Sequence, residues 1–304
     1  MIQNAPRILY LGMENYFSLQ AFKALSAQKV NICGTVISMS ASQRFMYDAG
    51  AHGETISDLP MVNPHMHASL SQEATDQGVP VVSIAREDFS TISDAIDKTK
   101  PDIACVACFP YILPRWLLSK LGHGFLNLHP SILPYHRGPA PLFWIFRSGE
   151  MAYRGVTVHL IGEGVDTGDI VLQRRIIYEP GISGHEAERV SGAAGGQLLA
   201  AAAQGLFQGK LDPYPQAVGG SYQGWPEASD FVLSSSWTVY RAFDFMRATE
   251  HWGFAYPIEI DGRTVELTRA TSAVPGEYMP ASWQVKEDTI VVRFSDGFLL
   301  AERR

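Results

Sequence analysis

The first two-thirds of this chain consists of short apolar runs separated by stretches of helical periodicity. Runs at 8–11, 32–37, 79–84, 102–109 and 124–128 have the length and apolar content of strands. Residues 17–25 and 68–77 carry apolar side chains at helical spacing. Strand, helix, strand repetition predicts a parallel sheet covered by helices. Ligand sites in such sheets lie beyond the carboxyl ends of the strands. Asn127 and His129 fall at that end of the 124–128 run.

The pattern then changes. Residues 155–161 and 170–178 read as two more strands, with Asp166 in the turn between them. Residues 184–209 read as an Ala- and Leu-rich helix that Gly192, Gly195, Gly196 and Gly205 weaken. The density of Pro and Gly from 211 to 226 marks a linker. Residues 235–247 form an amphipathic helical pattern, and short strand-like runs come after it at 258–260, 265–268, 282–285, 290–294 and 298–300. Asp261-Gly262 and Asp296-Gly297 are hairpin-turn signals. The predicted architecture is α/β: a Rossmann-like, mostly parallel sheet over 1–209, a linker over 210–226, and a small β-rich, barrel-like domain over 227–304.

The net charge of -7 disfavours a broad electrostatic grip on nucleic acid. Residues 40–64 are long for a loop, but Arg44 is offset there by Asp48, Glu54 and Asp58, so the segment is no basic arm. No run of about 18 apolar residues implies a membrane span. The first seven residues are too few and too polar for a signal peptide, and Cys33, Cys105 and Cys108 make no disulfide framework. A cytoplasmic location is expected.

Asn127 and His129 are two apart, so on a continuing strand both side chains share a face. Pro130 keeps His129 extended, and Pro134 and Gly138 shape a turn that can aim backbone N–H groups at a ligand. A carboxamide and an imidazole on one face can donate to a developing oxyanion. Asp166, bracketed by Gly164 and Gly168, can orient the histidine, stabilise its protonated form or help deprotonate an amine. Taken singly, these are a turn-capping Asn, a core His and a turn carboxylate; the three together favour a site.

Other motifs are weaker. Cys105 and Cys108 have metal or redox spacing, but a strand would send their sulfurs to opposite faces, and buried apolar residues are the better reading. His65 and His67 have no third ligand nearby, so no metal is expected. His159 reads as a supporting residue. Gly12-x-x-Asn15 is not a dinucleotide fingerprint. Arg137 suits either an anionic ligand or a structural bridge.

The segments 127–138 (Asn-Leu-His-Pro-Ser-Ile-Leu-Pro-x-x-Arg-Gly) and 155–170 resemble the folate-dependent formyltransferase family in order, length and separation. The resemblance covers about residues 7–209, and more loosely the C-terminal part, which is similar to the barrel that succeeds the catalytic domain in several members. It implies the formyltransferase fold, a catalytic set of Asn127, His129 and Asp166, and 10-formyltetrahydrofolate as formyl donor. It places the pterin near Phe109, Tyr111, Ile112 and Leu113 and the loop of Gly162, Glu163, Gly164 and Val165. The 109–113 stretch reads equally as a buried strand end.

The family does not fix the acceptor. A tRNA acceptor calls for a basic C-terminal domain, yet Lys and Arg do not exceed Asp and Glu from Trp225 onward. The expected acceptor is the primary amine of a small or carrier-linked molecule: an amino sugar, an ornithine-type amine or an amino acid. Methionyl-tRNA is the runner-up, then water, which would make the chain a 10-formyltetrahydrofolate hydrolase. A folate-binding sensor is the non-enzymatic alternative. A homodimer is compatible with the sequence, and Trp225, Trp237, Trp252 and Tyr256 suit a pocket, an interface or, by default, core.

Overall fold

The structure, a computed structural model, describes residues 5–28, 30–39, 69–276, 281–286 and 289–303. The 40–64 segment and His65 and His67 lie outside them.

Strands β1 (Arg7–Met13), β2 (Asn31–Ser38), β3 (Val81–Ile84), β4 (Ile103–Ala107) and β5 (Phe125–His129) pair in parallel. β6 (Gly155–Leu160) and β7 (Ile170–Arg175) extend the sheet antiparallel beyond β5, giving the order β3-β2-β1-β4-β5-β6-β7. The chain fills one side of β1 and then returns to fill the other. The crevice beyond β1 and β4 is therefore a topological switch point, where open α/β sheets bind ligands.

β1 reads as a continuous apolar run because both of its faces are covered. Ile8 and Tyr10 enter one buried cluster, Leu9 and Leu11 the other. Helices α1 (Tyr16–Ser26), α2 (Leu70–Asp76), α3 (Phe89–Thr99), α4 (Arg115–Leu118), α5 (Pro141–Ser148) and α6 (Gly184–Phe207) accompany the sheet. Helix α3 is capped by the Asp88 side chain, and α5 opens on Pro141 and closes on Gly149 at φ 73°.

The four glycines do not break α6. Gly192 and Gly196 face α1, where a Cβ would press on the carbonyls of Phe17 and Ala21. Close helix approach, rather than a turn, explains them. The cost in helix propensity is offset by the packing of α1 on α6.

Helix α7 (Val239–Thr249) precedes β8 (Tyr256–Ile260), β9 (Arg263–Pro275), β10 (Trp283–Lys286), β11 (Thr289–Arg293) and β12 (Gly297–Arg303). These form a curled antiparallel sheet, order β10-β11-β12-β9-β8, a half-barrel. Asp261 (φ 51°) and Gly262 (φ 73°) make the predicted tight hairpin turn. Phe143 of α5 packs against Phe231, Phe245 and Trp252, so one apolar cluster runs from the parallel sheet into this C-terminal part.

Residues 210–226, expected as a linker, are irregular in backbone yet closely held. They cross the turn after β5 as a strap. Ser221 N–H donates to Pro134 O at 3.1 Å, Arg137 N–H to Ser221 O at 2.9 Å, and Gln223 N–H to Arg137 O at 3.0 Å. Among the described residues no helix is long and apolar enough to cross a membrane.

Candidate active site

β5 carries Asn127 and His129 on one face, and β6 sets His159 opposite Asn127 in the ladder. Asp166 swings in from the 161–169 connection with φ 52°, a left-handed conformation that Asp tolerates better than most residues. The flanking glycines serve that loop by size, not by φ. A Cβ on Gly168 would overlap the Leu160 carbonyl, and one on Gly164 would crowd Thr167.

Asp166 is the hub. Its Oδ2 accepts from the Gly138 amide at 2.9 Å and lies 3.6 Å from His129 Nδ1. Its Oδ1 accepts from Asn127 Nδ2 at 3.3 Å and lies 3.6 Å from His159 Nε2. The Gly138 N–H, expected to face a ligand, thus serves the carboxylate instead. Burial alone would raise this carboxyl, but His129 and His159 in their protonated forms, with the Gly138 amide, outweigh it and hold Asp166 well below the usual carboxylate range.

His129 is 4% exposed. Its Nε2 lies 2.8 Å from the His136 carbonyl, which can only accept, so Nε2 carries the proton. Nδ1 is then a bare lone pair turned towards Asp166. Burial pushes this imidazole down, only partly countered by Asp166. His159 is fixed similarly: Nδ1 donates to Leu160 O at 2.8 Å, leaving Nε2 to accept from Asn127 Nδ2 at 3.1 Å in the neutral ring. The two partners orient the Asn127 carboxamide, since a carboxylate at Oδ1 requires the NH2 side. His159 therefore supports the site, as the sequence suggests.

The site opens into a cleft of about 550 Å³. Phe109, Tyr111, Ile112 and Leu113 line it, with Gly162, Gly164 and Val165 of the Asp166 loop. Ile112 is 74% exposed at the rim, while Leu113 is buried and shared with the core. The Tyr111 hydroxyl is buried with no hydrogen-bond partner among the described residues. Glu163 does not line the cleft; it points outward to an exposed pairing with Arg115 at 3.1 Å. Trp225 and Trp252 line the cleft, whereas Trp237 and Tyr256 are core. Among the described residues no cluster of three His, Cys, Asp or Glu could hold a metal.

Two expectations change. Cys108 does not oppose Cys105. The strand ends at Ala107 and Cys108 has φ 55°, which breaks the alternation and returns its side chain to the cluster containing Cys105. Among the described residues Arg137 meets no carboxylate; its Nε and Nη2 donate to Gln216 Oε1 at 3.2 and 2.7 Å. The same Gln216 donates from Nε2 to Asp166 O at 2.7 Å and Gly168 O at 2.9 Å, tying the Arg137 turn to the Asp166 loop. Sequence reasoning missed Gln216, because a glutamine between prolines and glycines carries no local signal.

A formyl transferase domain matches residues 62–194. A methionyl-tRNA formyltransferase of Anaeromyxobacter dehalogenans is 35% identical over 199 residues, 65% of this chain and 63% of that relative. Another, from Syntrophomonas wolfei, is 27% identical over 303 residues, covering 96% of this chain and 88% of the relative. The fold matches the crystal structure of an N-formyltransferase from Helicobacter canadensis in complex with folinic acid and dTDP-3-aminofucose, with TM-score 0.65, 15% identity, and 97% and 98% of the two chains covered. The domain match, the relatives and the fold agree with the motif at 127–138, and the chain carries a formyl transferase domain.

Proposed function

We propose that this chain transfers a formyl group from 10-formyltetrahydrofolate to the primary amine of a small or carrier-linked acceptor. The observation that carries the reading is the convergence of Asn127, His129 and Asp166 on the cleft that Phe109–Leu113 and the 162–165 loop also line. The Tyr111 hydroxyl and the apolar Ile112 and Val165 suit a flat heterocycle with polar edges at that part of the cleft.

The geometry sets the roles. Asn127 holds Asp166 through its longest bond, 3.3 Å, which is the one most easily exchanged for an oxyanion on the formyl carbon. His129 is neutral with Nδ1 unprotonated, so Nδ1 takes the proton released by the attacking amine. Asp166, already ionised and 3.6 Å from Nδ1, stabilises the imidazolium. His129 then returns the proton to the departing nitrogen of the donor. His129 Nε2, fixed on the His136 carbonyl, keeps the ring aimed throughout.

The relatives named methionyl-tRNA formyltransferase favour methionyl-tRNA as the second reading. The excess of acidic over basic residues from Trp225 onward argues against it. One experiment separates them: mass-spectrometric detection of formylated product from a panel of amines and Met-tRNA, with water as the donor-only control. Small-amine products that vanish in His129→Ala support the reading. Efficient formyl-Met-tRNA with no small-amine product would overturn it, and donor consumption without any acceptor would indicate a hydrolase.

A further inference from the structure

Another stretch of the cleft wall is chemically unlike the triad. The first turns of α6 contribute Gly184, Ala187 and Glu188, and His251 and Trp252 come just after α7. Glu188 Oε2 is sealed from solvent with no hydrogen-bond partner, and so is His251 Nδ1. Burial raises Glu188 to about 7 and drives His251 down to about 3. A carboxyl oxygen sealed from water with an unmade bond costs stability, and a ligand that donates to the Glu188 carboxyl from the cleft recovers part of the loss.

The rest of the wall narrows the kind of ligand. No Lys or Arg lines the cleft among the described residues. Arg137, beside it, is occupied by Gln216, and Arg154 lies buried against Asp244 at 3.3 Å. A phosphate or pyrophosphate would find no cationic partner here. Two carboxyl groups, Asp166 and Glu188, and the aromatic faces of Tyr222, Trp225 and Trp252 instead suit a positively charged nitrogen.

We propose that the acceptor is a small, phosphate-free molecule with two basic nitrogens, a diamine or a dibasic amino acid, and that Glu188 grips the nitrogen that is not formylated. This rests on the formyl-transfer reading above. Arrival of an ammonium ionises Glu188 and turns an unmade bond into a buried, charge-assisted one. Nucleotide-linked amino sugars suit this wall less well, because among the described residues it offers their phosphates no counter-charge.

The test compares formyl transfer from 10-formyltetrahydrofolate to a four-carbon diamine, the length-matched monoamine, a nucleotide-linked amino sugar and Met-tRNA. The diamine is expected to exceed the monoamine at least about tenfold in kcat/KM, the scale of one hydrogen bond to a charged group. Glu188→Gln collapses that preference, with the loss falling on the diamine's KM, and Glu188→Asp keeps part of it. Tetrahydrofolate binding by tryptophan fluorescence checks that each variant is folded. A diamine preference untouched in Glu188→Gln, or selection of the nucleotide-linked sugar or Met-tRNA, overturns the proposal. Transfer to no amine by wild type, with donor bound, overturns the formyl-transfer reading itself.

Discussion

Replacing Gln216 by alanine tests whether the strap positions the Asp166 loop. The side chain makes two neutral bonds to the carbonyls of Asp166 and Gly168 and accepts a pair from the Arg137 guanidinium. Neutral bonds contribute about 1 kcal/mol each, and the charge-assisted pair about 1.5–3 kcal/mol. The buried limit is therefore about 3.5–5 kcal/mol. Gln216 is only half-buried, so water replaces part of this, and about 2 kcal/mol remains. If that loss falls on the placement of Asp166 in the transition state, kcat/KM for formyl transfer drops about 30-fold. Gln216→Glu is the sharper probe. Its carboxylate still satisfies Arg137 but cannot donate to either carbonyl, so it should be impaired nearly as much as the alanine variant. Steady-state kinetics with saturating donor decide the matter. Gln216→Ala within twofold of wild type, or Gln216→Glu matching wild type, would refute the positioning role.

The site itself sets further outcomes. His129 must be unprotonated at Nδ1, and burial places its ionisation below the ordinary 6.5, so kcat/KM should hold above that pH and fall as pH drops through the depressed value. Asp166 pulls that value up, so Asp166→Asn should move the acid limb to lower pH while cutting the plateau at least about 100-fold; a limb that stays put or moves to higher pH contradicts the coupling. Gly168→Ala drives a Cβ into the Leu160 carbonyl and should cost about 1–3 kcal/mol in urea unfolding together with most of the activity, and an unchanged midpoint would show that the loop adapts.

The strands were legible because their patterns are strong. β4 is apolar throughout and β1 is so past Arg7, as strands covered on both faces must be, while β5 breaks its apolar run only at Asn127 and His129. Helices α3 and α5 went unnoticed: α3 buries only Ile92, Ala95 and Ile96, and α5 is just eight residues long. The triad could be read from spacing on β5 plus one turn carboxylate, yet the direction of its hydrogen bonds could not. That the Gly138 amide serves Asp166, and that His129 presents Nδ1, depend on where the chain returns in space. Gln216 and Glu188 share this property, since each draws its meaning from partners far away in sequence. Glu163 shows the limit of loop-level reading, since its side chain turns outward to Arg115 and leaves only its backbone to serve the loop.

The strap and the C-terminal elements beyond it supply Tyr222, Trp225, Ala248 and Trp252 to the cleft, while Asn127, His129 and Asp166, to which we assign the oxyanion and proton handling, all come from residues before 170. The proposed reacting groups and Glu188 thus lie before the strap, and the aromatic wall of Tyr222, Trp225 and Trp252 lies on or beyond it. A chimera that keeps residues up to Gln216 and takes the remainder from a relative should therefore reshape the aromatic wall around the acceptor while keeping Glu188 and the reaction centre, provided the α5 aromatic contact with Phe231 and Trp252 is matched. In such a chain recombination at the strap would retune the fit around the acceptor while the Glu188 carboxyl stays fixed.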